Sequence, residues 1–192
     1  VWIRPALALA ALAVVVATAS SAAAQTDPWA KGAQWMSLRA GYAKATGDDA
    51  GNGWGGYGFG YSRMLNAKWS LGFYAHHEVV GHRSGSLQLE FPFTAELVRR
   101  YRWKTALRPY LGLGGGMFFY GTYRDGADHI SPRPGGYLVW GADTPVAERQ
   151  LLGVDARVAI VDGDVARVSP VFGAEESSML HWSVKLNWSF AY

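Results

Sequence analysis

Cysteine is absent from the 192-residue chain, so neither a disulfide nor a lipid-bearing cysteine within this sequence can hold or tether it. Charge is scarce too: Asp, Glu, Lys and Arg together make up 17% of the residues, and the net charge is only +3, from scattered basic residues. A nucleic-acid surface needs a basic stripe or patch, so this scatter gives such a role little support. Beyond residue 24 no long apolar run occurs, so any passage through a membrane has to be made by strands.

What is present is unevenly placed. Residues 1–24 read as a targeting segment, with Arg4 as a basic start, an unbroken Ala, Leu and Val run over residues 6–17, and Ala22-Ala23-Ala24 before Gln25 as a signal-peptidase site. The expected division is therefore a signal peptide over 1–24 and one domain over 25–192. The run is shorter than the roughly 20 residues a spanning helix needs, and no stop-transfer flank follows it. Over the whole chain, 24 Gly, 9 Trp, 10 Tyr and 8 Phe set the character of the sequence. Aromatic girdles at two interfaces and small residues lining a narrow lumen would use such a mixture.

From Ala33 onward an apolar residue stands at every second position, and turn-rich segments of alternating short and long length interrupt the pattern. The spacing predicts eight strands, near 34–44, 54–65, 69–79, 86–99, 107–120, 136–142, 151–161 and 179–192. Parity then sorts the faces. In the fourth strand Leu87, Leu89, Phe91, Phe93, Ala95 and Leu97 oppose Gln88, Glu90, Thr94 and Glu96. Two carboxylates are intolerable on a lipid-facing surface, so the apolar set is assigned to lipid and the polar set to the interior. The predicted fold is all-β, a closed antiparallel up-and-down transmembrane β-barrel of eight strands. The alternative is a soluble lipocalin-like barrel, which would reverse the faces and put Glu90, Glu96, Arg157 and Lys185 in water.

If the last strand ends at the periplasmic rim, the outer loops fall at 45–53, 80–85, 121–135 and 162–178. The inner turns are then 66–68, 100–106 and 143–150. Long outside and shorter inside is the bacterial pattern.

Two stretches carry a family resemblance. Arg108-Pro109-Tyr110-Leu111-Gly112-Leu113-Gly114-Gly115-Gly116 is similar to a stretch common in small bacterial outer-membrane β-barrel domains. Lys185-Leu186-Asn187-Trp188-Ser189-Phe190-Ala191-Tyr192 looks like the terminal signal read by the barrel-assembly machinery, with Leu186, Trp188, Phe190 and Tyr192 as its apolar positions and Asn187 where Gly is usual. The resemblance implies residence in a Gram-negative outer membrane, contact with its lipids including lipopolysaccharide, and a monomer. It implies no activity.

Three sets of residues invite chemistry. The glycines at 112 and 114–116 lack the Walker lysine and a following helix, so they read as small lumen residues rather than a phosphate loop. Inward Arg39, Glu90, Glu96, Arg108, Asp155, Arg157 and Lys185 are expected to pair into a plug, because an eight-stranded lumen is just wide enough for side chains and an isolated buried charge costs several kcal/mol. An ion-conducting lumen is the alternative. His181 and Ser183, two apart on one strand face, resemble the His-x-Ser pair of outer-membrane lipid A deacylases, with Glu175 or Glu176 as the acid. Against that likeness, Val184 stands where the family has Asn, no carboxylate follows Ser183, and parity turns the pair toward the lumen.

His76, His77, Glu78 and His82 gather near the third strand's outer end, where a metal site is the sharp reading and solvated or headgroup-bonded side chains the plain one. Asp48, Asp49, Asp125 and Asp128 fall in expected outer loops, where they could meet the divalent ions that bridge lipopolysaccharide. No metal or other cofactor is assigned. The expected role is a structural or surface-interaction one in the cell envelope. The alternatives are a lipid A acyl-ester hydrolase and a narrow solute channel.

Overall fold

A computed structural model of the chain describes residues 27–46, 52–83, 86–103, 105–124, 127–162 and 178–191. Eight strands follow one another: β1 (Gln34–Ala45), β2 (Trp54–Met64), β3 (Trp69–Arg83), β4 (Ser86–Arg100), β5 (Arg108–Arg124), β6 (Ala127–Ala147), β7 (Gln150–Asp162) and β8 (Ser178–Ala191). Each pairs antiparallel with its sequence neighbour. β1 closes on β8, from Trp35 against Ala191 to Ala45 against His181. The result is a closed all-β barrel in which each strand has backbone partners on both sides, although among the described residues β6 before Gly135 pairs with β5 alone.

The faces follow the predicted parity. Leu113 is 64% exposed and Phe93 57%, on the outside, whereas Glu96 and Lys185 are 2% exposed, on the inside. Phe73, Leu138, Leu152 and Leu186 continue the apolar exterior around the wall. A water-soluble barrel would not leave so continuous an apolar surface uncovered.

The lumen is filled by matching large residues to glycines. A Cβ placed on Gly60 would overlap the Tyr74 ring from β3, one on Gly58 the His76 ring, and one on Gly114 the Tyr137 ring from β6. Gly114→Ala is therefore expected to destabilise the barrel by about 1–3 kcal/mol, the usual cost of overpacking. Gly136→Ala, where the nearest atom lies 3.5 Å from the added carbon, should be close to neutral. Urea midpoints of the two variants in lipid vesicles make the comparison.

Two features differ from the sequence pattern. β6 is 21 residues long rather than a short strand at 136–142, and it pairs with β5 as far as Arg124 against Ala127. The expected loop at 121–135 is thus mostly a tall hairpin. Pro132 and Pro134 hide it in the sequence, because proline removes a ladder donor, yet the ladder carries both, opposite Phe119 and Met117. The expected loop at 80–85 likewise shortens, with β3 reaching Arg83 and β4 starting at Ser86. Asp128 and His82 accordingly lie on strands.

The second feature is a short plug. Residues 27–33 fold beneath the barrel end where β8 finishes. Asp27 Oδ1 accepts from Trp29 N, and Pro28 O accepts from Trp35 Nε1 at 3.1 Å. Buried Trp29 packs with Ala33, Trp35, Met64 and Leu151 and closes that mouth. No alternation precedes β1, so periodicity gives no warning of it.

The β3–β4 ladder is also interrupted at mid-wall. The registered pairs of β3 and β4 stop at Ala75 against Phe93 and resume at Glu78 against Glu90, so His76 and His77 have no registered partner opposite Phe91 and Pro92. Pro92 lacks an N–H to offer there.

Candidate functional site: the charged lumen

At the middle of the lumen two arginines and two carboxylates alternate in a ring. Arg39 from β1 reaches Glu96 from β4 at 3.5 Å and Asp155 from β7 at 3.6 Å. Arg157 reaches the same two carboxylates, Glu96 at 3.0 Å and Asp155 at 3.2 Å. Neighbours occupy further lone pairs. Tyr137 OH donates to Glu96 Oε2 at 3.0 Å, Asn187 Nδ2 donates to Asp155 Oδ2 at 2.7 Å, and the Arg39 guanidinium lies 3.8 Å over the Tyr74 ring. Parity brings these groups inward, and closure of β1 on β8 brings strands that are distant in sequence within reach of one another.

Above the ring, toward the longer loops, Lys185 pairs with Glu78, and Glu90 Oε2 accepts from both His181 Nδ1 at 2.8 Å and Tyr120 OH at 2.9 Å. Below it, Arg100 pairs with Asp143 at 3.1 Å and bonds Ser70. Among the described residues the buried or ion-paired lumen charges Arg39, Arg100, Arg133, Arg157 and Lys185 stand against Glu78, Glu90, Glu96, Asp143 and Asp155, five of each sign, with Arg108 half-buried at the plugged mouth as a further cation. A balanced, paired interior offers little net field to select or draw an ion.

The residues anticipated from sequence divide as follows. Arg39, Glu90, Glu96, Asp155, Arg157 and Lys185 are all buried in this network. Arg108 is half-buried at the plugged mouth, its guanidinium 5.6 Å from the Trp29 ring centre, away from the carboxylates of the central ring. Glu78, Arg100 and Asp143 were not assigned to the network. Glu78 shares the parity of His76 and was readable, but Arg100 and Asp143 sit where the pattern suggests turns. The three tyrosines at 110, 120 and 137 were likewise readable only from parity.

His181 and Ser183 both face the lumen on β8. The carboxylate beside His181 is Glu90, contributed by β4. Glu175 and Glu176 lie outside the described residues. The two side chains border a cavity with His76, Glu78, Pro92 and Phe118. It has room for only about one or two water molecules, far too little for an acyl chain. Neither ring nitrogen of His76, nor Nε2 of His181, has a protein partner there. Such groups suit a hydrated pocket. Among the described residues no hydrogen bond joins Ser183 to His181, and no group of three His, Asp or Glu is placed to hold a metal ion. Ser183→Ala is expected to leave lipid A acylation unchanged in cells, by mass spectrometry, and to alter stability by less than about 1 kcal/mol. Loss of a lipid A acyl-chain difference in that variant would restore the hydrolase reading.

On β8, Leu186 and Trp188 are exposed and Phe190 half-buried on the outer face. Tyr192 is outside the described residues, as are residues 1–24.

A closed eight-stranded antiparallel barrel with an apolar outside and a charged, packed inside is the fold of the small outer-membrane β-barrels. Solved structures with this fold align over nearly their whole length. Neisserial surface protein A matches with a TM-score of 0.67 at 12% identity, over 84% of this chain and 100% of the other. The outer-membrane protein AlkL, determined in lipid bilayers, matches with a TM-score of 0.53 at 17% identity over 90% of this chain and 96% of its own. Ail, the attachment invasion locus protein of Yersinia pestis, gives 0.52 at 12% over 83% and 99%. No protein-family model and no curated protein sequence matches the chain. At these identities the likeness is one of fold.

Proposed function

We propose that the protein is an integral outer-membrane barrel that spans the bilayer with its eight strands, keeps its lumen closed with its own side chains, and serves the envelope structurally or through its surface loops. The observation that carries this is the reversed distribution of polarity: an apolar wall around a charge-balanced interior plugged by Trp29 at one end. With the short turns and the end of β8 facing the periplasm, the longer connections meet the outer leaflet and its lipopolysaccharide. Their sequence is acidic, with Asp48, Asp49, Asp164, Glu175 and Glu176 among them, which suits contact through bridging divalent ions. Leu186, Trp188, Phe190 and Tyr192 then form the signal for the assembly machinery, and export proceeds through cleavage after residue 24. The barrel works as a monomer.

The test combines two measurements. Folded protein should migrate differently in a gel before and after boiling, and planar bilayers containing it should show no steady conductance. Identical mobility, or recovery in the soluble fraction, would overturn the membrane reading. A stable open channel would overturn the closed lumen.

A further inference from the structure

The charged side chains outside the lumen are distributed very unequally around the barrel. Residues 61–77 and 97–124, which cover the plugged end of β2 to β5, contain no Asp or Glu at all. They carry Arg63, Lys68, Arg99 and Arg102 at exposed positions. Arg100, between two of these, is turned inward and spent on Asp143 and Ser70. On the far side of the same rim the connection between β6 and β7 holds Glu148 beside Arg149, so the basic character is confined to one arc.

Within that arc the register gives a definite shape. Arg99 is paired across the ladder with Trp69, and Arg63 with Leu71, so the two arginines stand on the outer face one strand to either side of β3. Backbones two strands apart are separated by about 10 Å, and the two positions are staggered by two residues, about 7 Å, along the strands, a span that two extended arginine side chains can close around one phosphate. Arg99 is held at this level by aromatic faces, its guanidinium 5.8 Å from the Trp69 ring centre and 5.3 Å from that of Tyr101. Leu71 and Leu97 continue the row that Arg63 begins, and Phe73 lies beyond it toward the middle of the wall, so the surface turns apolar directly beside the cations. A cationic cradle continuous with an apolar strip matches an amphiphile with an anionic head and hydrocarbon tails. Soluble phosphate would leave the strip unused, and a folded protein partner would have to displace lipid from it.

We propose that the β2–β4 face at the plugged end is a binding site for an anionic phospholipid of the inner leaflet. Its phosphate sits between Arg63 and Arg99, Lys68 and Arg102 lie at the rim as further cations, and its chains run along Leu71, Phe73 and Leu97. This rests on the membrane-spanning reading above, and the gel shift on boiling is measured first, so that failure of the barrel is seen separately. Native mass spectrometry then compares lipid adducts of the folded chain in detergent holding equal amounts of phosphatidylglycerol and phosphatidylethanolamine. The expected result is a several-fold excess of phosphatidylglycerol adducts that shrinks as salt is raised, since screening weakens exposed charge contacts. Arg63→Gln/Arg99→Gln should abolish the excess, Lys68→Gln/Arg102→Gln should reduce it, and Arg149→Gln on the opposite side should retain it. Equal adducts in the unsubstituted chain, an excess that survives the Arg63/Arg99 change, or one removed equally by Arg149→Gln would each overturn the proposal. Displacement of the lipid by millimolar inorganic phosphate would overturn the choice of a lipid over a free anion.

Discussion

Glu96→Ala is expected to destabilise the barrel by about 3–5 kcal/mol, the range for removing one partner of a buried ion pair. The reason lies in the ring at mid-lumen. Glu96 is the carboxylate shared by Arg39 and Arg157, and it also accepts from Tyr137 OH. Its removal leaves two guanidiniums facing each other with Asp155 alone to neutralise them, in a space flanked by Tyr74 and Tyr137. Glu96→Gln preserves shape and some hydrogen bonding but not charge, and should fall between the two. Urea titration in lipid vesicles, read by the heat-sensitive gel band, gives the free energies. A loss below about 1 kcal/mol in the Ala variant would mean that water reaches the arginines freely and that the lumen is wet at its centre. Replacing Glu96 and Arg157 together by leucine and methionine separates the two costs. A pair of apolar residues of similar volume is often tolerated, so that variant should be more stable than Glu96→Ala.

Phe93→Arg is expected to cost about 2–4 kcal/mol, as an arginine does near the midplane of a barrel's lipid face. Phe93 lies midway along β4, opposite Ala75 on one side and Met117 on the other, with its ring exposed and edge-on to Phe119 at 5.7 Å. Phe93→Leu should change little. The pair of variants tests the solvent on the outer face directly, because in a water-soluble barrel the arginine would be at least as well accommodated as the phenylalanine. Arg99→Leu is the converse probe. It removes a charge from the rim, where arginine is at home, and should not stabilise the fold as an apolar replacement at mid-wall would.

The rule of alternation made most of the wall legible. A strand has a side-chain period of two, so the acidic positions 90 and 96 of β4 fixed the lumen face of that strand, and the same parity sorted Arg39, Asp155, Arg157 and Lys185 inward. It failed where something other than periodicity set the structure. Pro132 and Pro134 masked the upper half of β6, because a propensity argument treats proline as a break, whereas among the described residues that stretch is paired with β5 alone and a strand with one free side can carry proline. Asp143 and Arg100 looked like turn residues and proved to be lumen partners for the same reason, strands running longer than their alternation. His181 meets Glu90, 91 residues earlier in the chain, a pairing that no local motif encodes, while Glu175, the acid the resemblance suggests, lies outside the described residues.

The sequence by itself determined which side of each strand is apolar, that the strands number eight, and that six lumen charges share one enclosed face. Those are local properties, set by the two-residue repeat and by the cost of placing charge against hydrocarbon. Only the tertiary structure decided which charges meet. Closure of β1 on β8 places Arg39 beside Asp155, while the tilt and stagger of the strands bring Arg157 to Glu96 across the lumen. It also decided that Trp29 seals one mouth and that four exposed cations gather on one arc of the rim. Side-chain parity is inherited along a strand, but proximity across a closed barrel depends on the register of every strand between, and that is a property of the whole sheet.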